Sequence, residues 1–232
     1  MKMGPILKPA VHMSGMTQPS IKIYTAADIH GHEDRLERIS HHITTLKPDL
    51  FVIAGDITGR HGPDPDIRRL NDLPIPVLTV RGNMDPPEME RLIESYPNII
   101  SLHQREWIIK GVTFVGLGGT LPIPFNARIA FREKSTTETL GDLVKADSVL
   151  VVHTPPYGTL DEGFGNIHTG SRGLRRLILE KQPRMLICGH IHAKPGWAFI
   201  DKTLVVNCSM GQRGAGALIV LTGNNKPAVR ML

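Results

Sequence analysis

Five short apolar runs, each stopped by a polar cluster, constrain this chain more than any other feature. Ile21-Lys22-Ile23-Tyr24-Thr25-Ala26-Ala27 ends in Asp28-Ile29-His30, and Leu50-Phe51-Val52-Ile53-Ala54 ends in Gly55-Asp56. Val77-Leu78-Thr79-Val80 ends in Arg81-Gly82-Asn83-Met84-Asp85, Val149-Leu150-Val151-Val152 ends in His153, and Met185-Leu186-Ile187 ends in Cys188-Gly189-His190-Ile191-His192. Runs of this length and composition read as buried strands. Gly189 is expected to let the backbone turn sharply where its strand ends.

Between the early runs lie helical patterns. From Glu33 to Leu46, Leu36, Ile39, Ile43 and Leu46 recur at three- and four-residue spacing, acidic Glu33 and Asp34 occupy the first turn, and Lys47-Pro48 stops the helix. A shorter helix is expected near Pro65 to Leu73. Another is expected after Asp85-Pro86, with Asp85 as N-cap and the proline at the first helical position. Strand–helix alternation of this kind predicts right-handed βαβ units on a parallel sheet, with sites gathered at the C-terminal ends of the strands. The second half predicts a hairpin over 106–116 turning at Lys110-Gly111 and a loop with Pro122 and Pro124. A helix around Thr136 to Lys145 and a long loop from Thr154 to Thr169 follow. Ser171 then caps a helix carrying Leu174, Leu177 and Ile178, and strands are expected at 196–200, 203–207 and 215–221. The two halves read as similar layers facing each other.

The chain has 232 residues, a length that fits one α/β domain. It is large enough to bury a core without disulfide staples, so Cys188 and Cys208 read as buried thiols of a reducing cytoplasm. Residues 1–19 hold Gly4, Pro5, Pro9, Gly15 and Pro19 with no continuous apolar segment, and read as a leader outside the domain of residues 20–232 rather than as a secretory signal. No run approaches the roughly 20 apolar residues of a membrane span. A net charge of +5 with scattered Lys and Arg suits a small anionic substrate; nucleic acid is permitted but not demanded, and a homo-oligomer is left open.

The polar clusters supply two carboxylates, Asp28 and Asp56; four imidazoles, His30, His153, His190 and His192; and the Asn83 amide. Mixed oxygen and nitrogen donors suit Mn²⁺, Fe or Zn²⁺ better than a thiolate-rich site, and Ni²⁺ is also compatible. Seven donors are too many for one ion and fit two ions joined by one carboxylate.

Asp-x-His, Gly-Asp, Gly-Asn-x-Asp, a lone His and Gly-His-x-His, in this order over about residues 21–221, resemble the signature of the calcineurin-like metallophosphoesterases. The resemblance implies a four-layer αββα sandwich of two mixed sheets and two divalent ions, Mn²⁺ first among them. By position, Asp28, His30, Asp56 and His192 would hold one ion and Asp56, Asn83, His153 and His190 the other, with Asp56 as bridge. It further implies hydrolysis of a phosphoester by a metal-bridging hydroxide. Phosphatase and nuclease members carry a His after Gly-Asn; here Met84 stands there, and a thioether cannot donate a proton. Small phosphodiesterases of the family also lack that His, so a diester with an acidic leaving group is the expected substrate. The alternatives are a nuclease or protein phosphatase of the same superfamily and a non-catalytic protein-binding scaffold. The chain ends about ten residues beyond the last strand, which weakens the nuclease reading.

Asp56, Asn83, His32 and His168 are thus the candidate catalytic residues, His32 and His168 as stand-ins for the missing donor. Arg81, and Arg172 at the helix start beside Ser171, are the candidate substrate contacts.

Overall fold

The computed structural model describes residues 20–119, 138–163, 167–211, 214–223 and 225–232. The expected leader, the Pro122/Pro124 loop and the first two residues of the helix expected from Thr136 lie outside them. Two six-stranded sheets face each other. The first contains β1 (Ser20–Ala26), β2 (Leu50–Ala54), β3 (Val77–Val80), β4 (Ile99–Ser101), β11 (Ala217–Thr222) and β12 (Ala228–Met231), in the order β12-β11-β1-β2-β3-β4. The second contains β5 (Arg105–Ile109), β6 (Val112–Leu117), β7 (Val149–Val152), β8 (Met185–Cys188), β9 (Gly196–Ile200) and β10 (Thr203–Asn207), in the order β5-β6-β7-β8-β10-β9. Strands β1 to β4 run parallel, as do β6, β7, β8 and β10. The outer strands β11, β12, β5 and β9 are antiparallel to their neighbours.

The apolar runs are continuous because these strands are covered on both faces. In β2, Leu50, Val52 and Ala54 point into the layer between the sheets, while Phe51 and Ile53 point outward. The outward side of the first sheet is closed by α1 (Glu33–Leu46) through Leu36, Ile39 and Ile43, by α2 (Pro63–Asn71) through Ile67 and Leu70, and by α3 (Met89–Ile93). In β8, Met185 and Ile187 face the other sheet. Leu186 and Cys188 face a third apolar cluster shared with α5 (Arg172–Lys181) through Leu174, Leu177 and Ile178, and with the helical residues 138–143 (α4) through Leu140. The result is the four-layer αββα sandwich. Cys188 and Cys208 are both free and buried. Among the described residues no helix is long and apolar enough to cross a membrane.

Two local expectations are corrected. Asp85 does not cap a helix, since α3 begins only at Met89. It is instead buried, and its oxygens accept four hydrogen bonds, described below. The tight turn after β8 is not made by glycine conformation either. The left-handed residue there is His190 (φ 70°). A Cβ on Gly189 would overlap that of Ala27 and come within 2.9 Å of Asp28 Oδ2, so glycine is required there because the two sheets touch.

Candidate metal centre

The C-terminal ends of β1, β2 and β3 meet those of β7 and β8, and all seven candidate ligands come together there. Four of them hold left-handed backbone: Asp28 (φ 60°), His30 (φ 53°), Asp56 (φ 52°) and His190 (φ 70°). Asp, Asn and His tolerate this region better than other side chains, yet it remains a strained conformation that concentrates at functional sites. The loops are laced together by backbone bonds: Asp28 N–H to Gly55 O at 3.0 Å and His30 N–H to Asp56 O at 2.9 Å. Gly82 brings the Asn83 turn against Asp56, where a Cβ would overlap Asp56 Oδ1.

Asp56 lies between the two halves. Its Oδ2 is 3.9 Å from His30 Nε2 and 3.4 Å from His153 Nε2, and its Oδ1 accepts the Met84 amide at 2.8 Å. Asp28 Oδ1 is 3.3 Å from His192 Nε2 and 4.0 Å from His153 Nε2, and Asp28 also accepts the His190 amide, at 3.0 Å on Oδ2. Asn83 Oδ1 lies 3.1 Å from His153 Nε2 and 3.0 Å from His190 Nδ1. Two compact groups suited to a cation emerge, Asp28–His30–His192 and Asp28–Asp56–His153, so Asp28 is common to both.

The donor chemistry fits cations. His153 Nδ1 sits 2.8 Å from Ala54 O, so it donates its proton there. That leaves the Nε2 lone pair facing Asp56 Oδ2 and Asn83 Oδ1, an arrangement of acceptors against acceptors around the fully buried His153 ring. Only a proton or a cation relieves it. Burial raises the pKa of both carboxyls, but neighbouring imidazoles outweigh it and hold Asp28 and Asp56 below the usual carboxylate value. Burial lowers His30, and also His190, which His153 lowers further. For His153 burial works downward but the Asp56 and Asp28 carboxylates prevail, and the hydrogen bond to Asp28 raises His192.

A pH dependence follows with a definite sign. His153 and His192 are raised, so their pairing stabilises the cation-free fold below the ordinary imidazole value of about 6.5, and that stabilisation is lost as pH rises through their raised values. Ligation needs neutral imidazole, so the stabilisation given by bound Mn²⁺ should run the other way. The gap between the Tm of Mn²⁺-loaded and metal-free protein should therefore widen from about pH 5.5 to about pH 8. Thermal melts across that range check it; a constant gap would count against imidazole ligation.

The remaining candidates divide. His32 is exposed at the start of α1 and, with His30 and Met84, lines a cleft of ≈ 730 Å³ that also includes Thr58, Arg60 and His61. Met84 itself is 64 % exposed. Arg81 is engaged within the fold: its Nε is 4.0 Å from Glu90 Oε1 and its Nη1 bonds to Asp85 O at 3.4 Å. Glu90 in turn bonds Ser101 Oγ. Arg172 lies 3.9 Å over the Tyr157 ring, and His168 is bonded to Asp161 rather than to any of the seven candidate ligands.

Sequence reasoning missed two residues that build the site. Arg35 reaches back from the first turn of α1 to Asp28 O at 2.6 Å and Gly211 O at 2.7 Å, clamping the loop after β1 to the segment after β10. Asp85 receives the amides of Ile57, Thr58 and Gly82 and the Thr58 hydroxyl, each at 2.9 Å, fixing the Asp56 and Asn83 loops to each other. A cation in a helical first turn otherwise rich in acid was a readable signal for Arg35.

The family model for calcineurin-like phosphoesterases matches residues 21–194. This chain belongs to that family. An uncharacterized protein of Methanocaldococcus jannaschii is 32 % identical over 170 residues, spanning 69 % of this chain and 77 % of the relative. Among solved structures, a dimetal phosphatase from Danio rerio superposes with a TM-score of 0.59 at 12 % identity, covering 92 % of this chain and 99 % of that one. A structure described as a novel archaeal phosphodiesterase gives 0.55 at 12 % identity, covering 91 % and 100 %. At those identities the structural likenesses show the fold. Calcineurin-like phosphoesterases are dimetal-dependent hydrolases of phosphoesters, and the Asp and His groups here suit that cofactor.

Proposed function

We propose that this calcineurin-like phosphoesterase is a phosphodiesterase acting on small phosphodiesters or nucleotides. Two bound divalent ions, Mn²⁺ foremost, would be held by Asp28, His30, Asp56 and His192 and by Asp56, Asn83, His153 and His190. They supply charge neutralisation at the phosphoryl oxygens and a water acidified toward neutrality. The chain's own residues prepare that chemistry. Ala54 O fixes the His153 tautomer, the Met84 amide orients Asp56, and the His190 amide orients Asp28. The complete ligand set favours an enzyme over a scaffold.

The observation that carries the diester reading is Met84. Its exposed thioether stands on the wall of the cleft beside His30, where it offers contact surface and no proton. The cleft has room for the second substituent of a diester, and Arg60 on its wall suits an anionic one. A monoester leaves that space empty. With Mn²⁺ added, bis(p-nitrophenyl) phosphate should exceed p-nitrophenyl phosphate in kcat/KM by about tenfold or more. Preference for the monoester, or equal rates, overturns the reading.

A further inference from the structure

The loop that leaves β7 directly after His153 carries an ionisable pair with no part in ligation. Asp161 is fully buried, and both its oxygens are engaged. Oδ2 accepts the amides of Gly158 at 3.0 Å and Gly170 at 2.9 Å; Oδ1 lies 2.7 Å from His168 Nδ1. A carboxylate in that setting accepts, so Nδ1 of His168 carries the proton. The imidazole is 38 % exposed, and its Nε2 has no hydrogen-bond partner among the described residues. The Tyr157 ring, 5.4 Å from the imidazole, supports it from the side. A carboxylate that sets the tautomer and direction of a histidine whose other nitrogen stays free is the arrangement used for proton transfer.

The loop that holds the pair is tied to the turn that carries His190 and His192. Glu162 bridges His168 in β fashion, and its carboxylate meets Lys194 Nζ at 2.7 Å, two residues beyond His192. Thr169 N–H closes on Asp161 O at 3.1 Å. The loop that carries His168 thus leaves the strand of His153 and is tied through Glu162 to Lys194, in the turn of His192. The glycine amides on Asp161 and the Thr169 bonds hold the loop, and the bond from Asp161 to the exposed imidazole fixes the direction of that ring.

We propose that His168, positioned by Asp161, donates the proton to the departing oxygen of the diester, which Met84 cannot do. The inference rests on the phosphodiesterase reading. In the step, the oxygen of the attacking water bonds to phosphorus and the P–O bond to the leaving group breaks, its electron pair staying on that oxygen. His168 acts as the acid in its doubly protonated form: Nδ1–H stays on Asp161, the Nε2 proton completes the alcohol, and a proton released from the attacking water returns to Nε2, whose lone pair is free in the neutral Nδ1–H form.

The test uses the full chain loaded with Mn²⁺ and a series of diesters whose leaving groups run from p-nitrophenol to simple alkyl alcohols. Wild type should show a shallow dependence on leaving-group basicity. His168→Gln should lower kcat about 10²-fold or more for alkyl leaving groups and far less for p-nitrophenol. Asp161→Asn should show the same tilt, less steeply. Long-range ¹H–¹⁵N spectra of metal-free protein should report the Nδ1–H tautomer of His168 in wild type and a mixture in Asp161→Asn, whatever the activity. Thermal melts establish that each variant is folded. Equal losses at both ends of the series, or an Nε2–H tautomer in wild type, overturn the inference. A wild type that turns over p-nitrophenyl diesters but shows a steep dependence unchanged by His168→Gln overturns it while leaving the phosphodiesterase reading intact. Failure on every diester overturns both.

Discussion

Asp56→Asn should strip metal from both halves of the centre and lower activity by about 10³-fold or more. The wild-type carboxylate has two jobs. Oδ2 stands 3.9 Å from His30 Nε2 and 3.4 Å from His153 Nε2, between one proposed ligand of each ion. Oδ1 accepts the Met84 amide. An amide cannot perform both. If its oxygen keeps the bond to Met84, its NH₂ faces the metal position; if it turns, two N–H groups oppose each other. Elemental analysis of wild type and variant, alongside steady-state rates, reads the result. Retention of one full equivalent of metal would move the bridging role to Asp28, which belongs to both compact ligand groups.

Asp85→Ala should be the most destabilising single change near the site. The 2 % exposed carboxylate accepts three amides and a hydroxyl, and truncation leaves those donors buried without partners. Each such orphan costs about 1–3 kcal/mol, so a loss of about 3 kcal/mol or more is expected even after partial relaxation. Urea unfolding of the metal-free protein measures it. Asp85→Asn, which keeps two or three of the bonds, should cost less. A loss under about 1 kcal/mol would mean that water replaces the carboxylate and that the loops are not held by it.

These two aspartates show where sequence reasoning succeeds and where it stops. Asp56 was legible because a buried run ending in Gly-Asp repeats a pattern found at four other strand ends. Asp85 was misread as a cap because Asp-Pro before a helix is a strong local signal. Three of the four hydrogen bonds it accepts come from Thr58 and Ile57, 27 and 28 residues upstream, where no spacing rule reaches. The sheet order was partly legible for the same reason. Parallel β1, β2 and β3 follow from strand–helix alternation, but β4, three residues long, is too short to show a period. Strand β12 escaped because its edge position leaves a half-exposed pattern, Ala228 to Met231, without a buried run. Gly189 was expected to supply a turn, but the turn's positive φ falls on His190 and the glycine answers to the neighbouring sheet. The pairing of Asp161 with His168, seven residues apart in an irregular loop, left no periodic trace either.

Anomalous diffraction from crystals grown with Mn²⁺ tests the dinuclear centre most directly. Two peaks about 3.5–4 Å apart should flank the Asp56 carboxylate, one ringed by Asp28, His30 and His192 and the other by Asn83, His153 and His190. A single peak, or manganese bound away from these side chains, would contradict it.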